Sequence, residues 1–340
     1  MSSATSAPIA TAPYRVALTG ACGFFGERLI SALELDPACK HIVALDIRPP
    51  KSGGLKTRFV RLDLTNPSAD EIAARVLRDD GIDVLCHMAF LSNPSHSSSW
   101  AHELEAIGSF YIMNAAAEAK VKKVIMRSTT MVYGASAMNP AFLTEKHPLR
   151  GVRKSRWVMD KVGAERELAR LARDCPDMVA TSLRFGMTVG PTIRNFWTNV
   201  FARQVVVKLM GYDPRMQFLH EDDALAALLK CVREDHRGAY NIVGGGQLFL
   251  SDVLKLGGKL PARVPHLLGS SISSVLFNLQ VAPAPGTFLN FMRHTIVADD
   301  HRMRDEMGFV PTHSTRDAIM ALFGRERAAV SPTTALGALS

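Results

Sequence analysis

The chain has 340 residues, of which 47% are apolar and 21% charged, which is the composition of an ordinary globular protein with a large core. No stretch approaches the roughly 18 uncharged apolar residues that a membrane-spanning helix needs, so we expect no membrane span. The formal net charge is +8, but the basic residues are spread among acids and only 7% of residues are aromatic. We therefore expect no nucleic-acid partner.

One denser basic patch comprises Arg150, Arg153, Lys154 and Arg156. It is either a solvated surface or a rim that attracts an anionic substrate. The five cysteines form no CxxC pair and their number is odd. This pattern favours a reduced, cytoplasmic setting and argues against a zinc site.

Strands and helices alternate through the first half of the chain. The run YRVALT stops at glycines and predicts a buried strand over residues 14–19, followed by a helix over 24–35. Similar patterns predict strands over 41–46, 58–62, 83–88, 121–129 and 179–185, with helices over 68–78, 98–119 and 155–173. This order predicts an α/β fold with a doubly wound parallel sheet of the Rossmann type.

Three glycines follow the first strand at the predicted turn into the first helix. Gly20, Gly23 and Gly26 leave the backbone bare, so that a diphosphate can approach it and lie against the positive end of the helix. Asp46 ends the second strand, 20 residues beyond Gly26, where a carboxylate can accept hydrogen bonds from a ribose. A helix-capping turn without a ligand is the alternative interpretation.

The acid at the end of the second strand favours NAD, because a carboxylate repels the extra phosphate of NADP. Arg48 lies two residues after Asp46 and could instead bind that phosphate, so NADP stays an alternative. Asp63 follows the third strand and is a candidate for contact with the adenine edge. Cys22 lies inside the glycine loop, either as a small filler or in a redox role.

The regular alternation of strands and helices ends after Gly190-Pro191, and the glycines and prolines at residues 244–246 and 283–285 interrupt the later elements. We predict a disordered tail over 1–13, a dinucleotide-binding domain over 14–190, a smaller mixed α/β substrate lobe over 191–325, and a flexible tail over 326–340. The stretch 266–279 is apolar and too short to span a membrane, which favours a core or pocket helix.

These motifs resemble the extended short-chain dehydrogenase/reductase family, which includes nucleotide-sugar epimerases and dehydratases. The resemblance runs from Val16 to about Phe323 and rests on TGACGFFG (19–26), HMA (87–89), STTMVYG (128–134), LRF (183–185), FLHEDD (218–223) and YNIVGG (240–245). Residues expected to bind the cofactor are Gly20, Cys22, Gly23, Phe24, Phe25, Gly26, Asp46, Arg48, Asp63, Leu64, Met88, Ala89 and Lys161.

The resemblance implies a hydride transfer assisted by a tyrosine that stands four residues before a lysine on one helix face. A neighbouring Ser/Thr hydroxyl orients the substrate oxygen. The lysine is present as Lys161 and the hydroxyl as Thr129, but the tyrosine position holds Trp157. An indole cannot carry a catalytic proton, and the loss of a general acid is worth roughly 10²–10⁴ in rate.

A second departure concerns the supporting asparagine of the family, whose position falls at Glu105. Three interpretations follow. Another group supplies the proton, such as Lys161, a water held by Thr129, or Tyr133; the centre performs different chemistry; or the cofactor is bound without turnover.

The substrate is a small molecule. An arginine that usually meets a nucleotide-sugar phosphate is replaced by Met216, and the adjacent Arg215 points to the opposite face of its strand. The C-terminal lobe offers an apolar lining, or an ordinary core, made of Met216, Leu267, Leu268, Val275, Leu276, Phe277, Phe288 and Phe291.

We therefore predict an NAD(P)-dependent oxidoreductase or epimerase acting on a hydroxyl or keto carbon of an apolar or sugar-derived substrate. The alternative is a catalytically silent NAD(P)-binding sensor or partner protein. The resemblance also implies a homodimer joined through the helices near 98–119 and 155–173.

Overall fold

The computed structural model of the protein describes residues 12–265 and 286–325. Its strands, in chain order, are β1 (Tyr14–Thr19), β2 (Cys39–Asp46), β3 (Thr57–Arg61), β4 (Val84–His87), β5 (Lys123–Thr129), β6 (Val179–Phe185), β7 (Met187–Val189), β8 (Val205–Leu209), β9 (Arg215–Met216), β10 (Phe218–His220), β11 (Gly238–Ile242), β12 (Leu248–Phe249) and β13 (Leu260–Val264).

The helices are α1 (Phe24–Leu35), α2 (Ala69–Asp79), α3 (Ser98–His102), α4 (Gly108–Glu118), α5 (Arg156–Asp174), α6 (Phe196–Ala202), α7 (Glu221–Arg233), α8 (Leu250–Leu256), α9 (His301–Asp305) and α10 (Thr315–Leu322). Two 3₁₀ segments cover Thr130–Tyr133 and Gly286–Met292. The first strand and first helix lie where the sequence predicts them, and the next strands and helices are shifted by at most two residues at either end.

Seven parallel strands form the central sheet in the order β3-β2-β1-β4-β5-β6-β11. Apolar side chains of β1, β4 and β5 alternate between the two faces, as expected for strands that are covered on both sides. One face packs against α1 and α7 and the other against α2, α4 and α5. The predicted doubly wound Rossmann-type sheet is confirmed.

The helix predicted over 98–119 is interrupted. Between α3 and α4 the chain forms a π-helical turn, Glu103–Ile107, which widens the backbone by one residue per turn. Such turns occur frequently at functional sites. This one places Glu105 inward, where its side chain is fully buried.

Part of the described C-terminal half joins the central sheet. β11 pairs with β6, and α7 covers the sheet beside α1, so both extend the dinucleotide-binding domain that we predicted to end at residue 190. Most of the remaining elements after β7, among them α6, β10, α8 and α10, pack around an aromatic core, whereas Met303 of α9 packs into the core of the sheet. The predicted apolar stretch 266–279, with its candidate lining residues Leu267, Leu268, Val275, Leu276 and Phe277, lies outside the described residues.

Within the two described ranges, no helix is long and apolar enough to cross a membrane. All five cysteines carry free thiols.

Candidate active site

The glycine loop between β1 and α1 is packed too tightly for side chains. Gly20 has φ +69°, and a Cβ added there would lie 2.8 Å from the backbone nitrogen of Ala89. A Cβ on Gly26 would lie 2.5 Å from the carbonyl oxygen of Ala21. The amide of Gly23 donates to the Gly20 carbonyl at 3.0 Å, which closes the turn. The loop therefore brings bare backbone to the end of the sheet.

Helix α1 begins directly at this loop. Gly23 occupies the N-cap and provides no side-chain acceptor for the first amide groups of the helix. Uncapped amides together with the helix dipole form a site for an anion. Phe24 and Phe25 open the helix, and Phe25 is buried against Phe185 at a ring-centroid separation of 5.6 Å.

Asp46 ends β2 beside the loop and already holds it in place. Its Oδ2 accepts from the Cys22 amide at 2.9 Å, and its Oδ1 accepts from the Ile47 amide at 2.7 Å. A carboxylate offers about four acceptor sites, so it can accept further bonds. The Cys22 thiol donates to the Arg48 carbonyl at 2.8 Å, and burial raises its pKa to about 11. Cys22 is thus a protonated thiol at neutral pH.

The other predicted cofactor residues lie at different depths. The side chain of Arg48 is exposed. The Asp63 carboxylate accepts from the Thr65 amide at 3.0 Å and caps the turn after β3. Leu64 is buried in the core, whereas Met88 lines the cleft and the Ala89 backbone supports Gly20.

His87, which precedes Met88, is fully buried and faces the interior. Its Nδ1 lies 2.7 Å from Thr19 Oγ1 and its Nε2 lies 2.9 Å from Ser109 Oγ. Burial lowers the pKa of His87 to about 3, so the ring is neutral. The ring tethers the end of β4 to α4.

A cleft of about 750 Å³, counting its space open to solvent, lies at the carboxyl edge of the sheet. Ligands of open α/β sheets bind at this edge. The glycine loop forms one side, the ends of β4 and β5 form the floor, and the start of α5 and aromatic residues of α6 form the far side. Its lining includes Gly20, Gly23, Phe24, Phe25, Gly26, Met88, Phe90, Arg127, Thr129, Met131, Trp157, Lys161, Phe196 and Trp197.

Lys161 faces this cleft but is held by a buried carboxylate. Its Nζ lies 2.9 Å from Glu105 Oε1 and 2.8 Å from Oε2, and the exposed fractions of the two residues are 7% and 0%. Glu105 also accepts from the Leu91 amide. Burial raises the pKa of the Glu105 carboxyl and lowers that of the Lys161 ammonium. Glu105, which stands where we expect the family's asparagine, is therefore the counter-ion of Lys161.

Trp157 covers the Lys161 ammonium, with Nζ 4.1 Å from the centroid of the indole ring. Its Nε1 donates to the Leu91 carbonyl at 3.2 Å, so the one polar hydrogen of the indole is already bonded to the backbone. The ring packs against Phe288 at 5.4 Å and Phe196 at 6.4 Å. Trp157 thus forms an aromatic wall.

Thr129 ends β5 at the cleft. Its Oγ1 accepts from the Met131 amide at 3.3 Å, and a hydroxyl that accepts can still donate its own hydrogen. Tyr133 does not reach the cleft. It is fully buried, donates to Asn241 Oδ1 at 2.6 Å and accepts from Arg184, and burial raises its pKa to about 12.

The sequence interpretation missed two charged features. Arg127 interrupts the apolar run of β5, and that interruption is the signal that could have marked it. The second feature is a pair between His102 Nδ1 and Asp160 Oδ1 at 2.7 Å, next in sequence to Lys161. Nothing in the sequence spacing relates these two residues. Met216 is fully buried in the aromatic core with Phe291, and the four residues of the basic patch are exposed.

This geometry defines a Rossmann-type dinucleotide-binding protein with a second, charged and aromatic site beside the cofactor loop. The family model for the NAD dependent epimerase/dehydratase family matches residues 16–243, and the chain belongs to this family. The chain is therefore of the class of NAD-dependent oxidoreductases and epimerases, and the alternative of a catalytically silent module is not favoured.

Known proteins agree with this placement. An uncharacterized protein of Mycobacterium tuberculosis (strain ATCC 25618 / H37Rv) is 30% identical over 313 residues, covering 90% of this chain and 82% of its own. Among solved structures, MoeE5 in complex with UDP-glucuronic acid and NAD gives a TM-score of 0.69 at 22% identity, over 92% of this chain and 98% of its own. The UDP-glucose 4-epimerase of Thermotoga maritima gives 0.69 at 18% identity, with the same coverage. At these identities the structures show a shared fold.

Proposed function

We propose that the protein binds NAD along the glycine loop and transfers hydride at a hydroxyl or keto carbon of a small substrate held beside Lys161 and Thr129. The observation that carries the proposal is the loop itself. Gly20 and Gly26 have no room for a Cβ, and α1 starts there without a side-chain cap. A bare loop at an uncapped helix start fits a dinucleotide diphosphate.

Asp46 supports NAD over NADP. Its carboxylate stands beside the loop with acceptor capacity left for ribose hydroxyls, and it would repel a ribose phosphate. Arg48, which could bind such a phosphate, points into solvent. When bound, NAD supplies the hydride acceptor or donor of the reaction.

Proton transfer falls to the Lys161–Glu105 pair, because the tyrosine position holds Trp157. Lys161 Nζ lies at the cleft surface, and burial favours its neutral form while the carboxylate of Glu105 favours the charged form. A lysine poised in this way can give a proton to a substrate oxygen or take one from it. The Thr129 hydroxyl orients that oxygen.

His102 and Asp160 form a polar pair near Lys161 and Glu105. The His102 side chain is 33% exposed, its Nδ1 bonds Asp160, and Asp160 lies electrostatically close to both Lys161 and Glu105. The bond joins the end of α3 to α5, which carries Lys161. We therefore assign His102 and Asp160 as positioning residues that hold α5 beside the segment that carries Glu105.

The substrate side of the cleft is aromatic. Trp157, Phe196 and Trp197 line it, and Phe288 packs behind Trp157. This lining favours a substrate with a flat or apolar part beside its reacting carbon. The neighbours solved with sugar nucleotides keep a sugar-derived substrate as the second candidate.

The experiment is an activity assay over a panel of alcohols, ketones and nucleotide sugars. NADH absorbance follows net oxidation or reduction, and chromatography of the products follows epimerisation or dehydration, which regenerate NAD within each turnover. We expect native turnover that falls at least 100-fold in Lys161→Met. ADP, which has the diphosphate but lacks the nicotinamide half, should bind Lys161→Met within a few-fold of its affinity for native protein, which shows that the variant is folded. Trp157→Phe should keep turnover. NADH binding without turnover on any panel member, or full turnover in Lys161→Met, would overturn the mechanism.

We also propose a homodimer through α4 and α5. Trp100 on α3 and Phe110 on α4 are 46% and 39% exposed, which is unusual for large aromatic side chains on one helical run. Light scattering after gel filtration should give twice the chain mass of 37.1 kDa, and Phe110→Glu should reduce it to one chain. A native monomer would contradict this proposal. The five free thiols fit a cytoplasmic location.

A further inference from the structure

Arg127 lies in the cleft, on β5 two residues before Thr129. Its guanidinium contacts two aromatic rings and lies 5.7 Å from the centroid of Phe25 and 5.9 Å from that of Phe90. Nη2 donates to the Phe90 carbonyl at 2.9 Å. Phe25 belongs to the first turn of α1, and Arg127 lines the same cleft as the loop glycines and Thr129.

The charge of Arg127 has no carboxylate partner within the described ranges. Glu105, an acid whose charge acts on Arg127, is bound by both oxygens to Lys161. The Nε of Arg127 is buried and makes no hydrogen bond to any residue that the structure describes. Burial lowers the pKa of Arg127 to about 10, so it still carries its charge at neutral pH.

Arg184 is a buried arginine with hydrogen-bond partners for its guanidinium nitrogens, and it serves as a comparison for Arg127. It is buried on the next strand, β6, and its Nε and Nη2 each donate to Glu165 at 2.9 Å. Its Nη1 donates to Tyr133 and to the Glu145 carbonyl, both at 3.0 Å. A buried cation without such partners destabilises the fold. We therefore expect an anionic group of a bound ligand to pair with Arg127.

We propose that Arg127 is an oxyanion-binding residue of the cleft and determines which ligands the cleft accepts. The oxyanion is either a phosphate oxygen of the dinucleotide or an acidic group on the substrate. Guanidinium suits both, because its N–H groups match the paired oxygens of phosphates and carboxylates. This inference rests on the proposed function, in that the cleft must hold the dinucleotide.

The test compares native protein with Arg127→Met, which keeps the length of the side chain and removes its charge. Arg316→Met, at an exposed site on α10, is the matched control. Calorimetry measures ADP-ribose, which has the diphosphate but no nicotinamide, and NADH. The quenching of NADH fluorescence measures the binding of malonate to the complex of protein and NADH.

If the oxyanion belongs to the dinucleotide, Arg127→Met weakens ADP-ribose and NADH alike, by about tenfold to a hundredfold. If it belongs to the substrate, both bind as in native protein, and only malonate binding is lost. Either outcome supports the proposal. Nucleotide binding that is unchanged in Arg127→Met, together with malonate binding that is unchanged or that native protein also lacks, overturns the proposal while the proposed function stands. Native protein that binds neither nucleotide overturns both.

A melting curve separates this role from a structural one. Replacing an unpaired, half-buried cation with an apolar side chain of similar length should leave the unliganded melting temperature unchanged or raise it. The increase in melting temperature on adding the affected probe should shrink in Arg127→Met and persist in Arg316→Met. A large fall in the unliganded melting temperature would mean that Arg127 is structural and would overturn the proposal.

Discussion

Glu105→Gln tests the buried pair at the centre of the site with a minimal change. Glutamine keeps the size of the side chain and can still accept from the Leu91 amide, so only the negative charge is removed. Both groups are almost completely buried and their atoms lie 2.8–2.9 Å apart. Removing one partner of such a pair typically costs about 3–5 kcal/mol, because the other charge is left buried.

The cost of deprotonating Lys161 gives an independent estimate of this loss of stability, and it is similar in size. The variant can relieve the buried charge by releasing the Lys161 proton, which costs about 5 kcal/mol at pH 7 for a lysine with an ordinary pKa. The free energy of unfolding of Glu105→Gln should therefore lie about 3–5 kcal/mol below native at pH 7. Lys161→Met alone should lose a similar amount, and the double variant should recover most of it.

The pH dependence has a definite sign. Burial already lowers the pKa of Lys161, and Glu105 opposes that shift, so removing the Glu105 charge lowers the pKa further. A depressed pKa of a lysine in the folded state means that stability is lost as pH falls below the unfolded value. The deficit of Glu105→Gln should shrink from pH 7 toward pH 10, by up to about 1.4 kcal/mol per pH unit.

Urea denaturation of the native protein, the two single variants and the double variant at pH 7 and pH 9 measures these differences. A coupling energy below about 0.5 kcal/mol would refute the reasoning, since that is the size of an exposed pair. A deficit that grows with pH would refute it as well, because the unpaired group would then not be a lysine.

Three further predictions concern the loop, the interior and the cofactor. Gly26→Ala should weaken NADH binding at least tenfold in calorimetry, because its Cβ meets the Ala21 backbone, while Gly163→Ala on α5, whose Cβ has only ordinary contacts, should bind normally. His87→Gln should make the protein less sensitive to acid. The pKa of His87 is about 3 in the folded state, so its contribution to stability is present above pH 6.5 and is lost as the pH falls toward 3. Between pH 7 and pH 5 the free energy of unfolding should therefore fall by about 2 kcal/mol more in native protein than in the variant, as measured by urea denaturation. Asp46→Asn should shift the ratio of NADPH to NADH affinity toward NADPH by about tenfold, through loss of a repelling charge; an unchanged ratio in competition titrations would remove Asp46 from the ribose site.

Local signals in the sequence predicted much of the fold. The spacing of glycines at 20, 23 and 26 depends on local sterics, which explains why the loop could be inferred directly. The order of the first six strands and their helices followed from apolar runs and breakers in the same way. Strand pairing is different, because a short run such as Gly238–Ile242 carries no information about its neighbour in a sheet. The boundary predicted at residue 190 therefore missed β11.

Contacts in the candidate site could be predicted from the sequence where residues stand a few positions apart, as in the family's motif. Contacts between residues far apart in the chain could not. Trp157 and Lys161 share one helix face, and their proximity follows from the spacing of four residues. Glu105 and Lys161 are 56 positions apart in the chain, and a π-helical turn aims Glu105 inward. The unpaired state of Arg127 likewise depends on what surrounds it in space, so the sequence shows only a charge within an apolar strand.

The most direct test of the account is a titration of native protein with NADH, followed by energy transfer from tryptophan. Trp157 and Trp197 line the cleft, so bound NADH should quench their fluorescence and emit in turn. The account predicts saturation at one NADH per chain, displacement by ADP-ribose, and a weaker transfer signal in Trp157→Phe at unchanged stoichiometry. Fluorescence that declines without saturation, or that ADP-ribose does not restore, would contradict binding of the dinucleotide in this cleft.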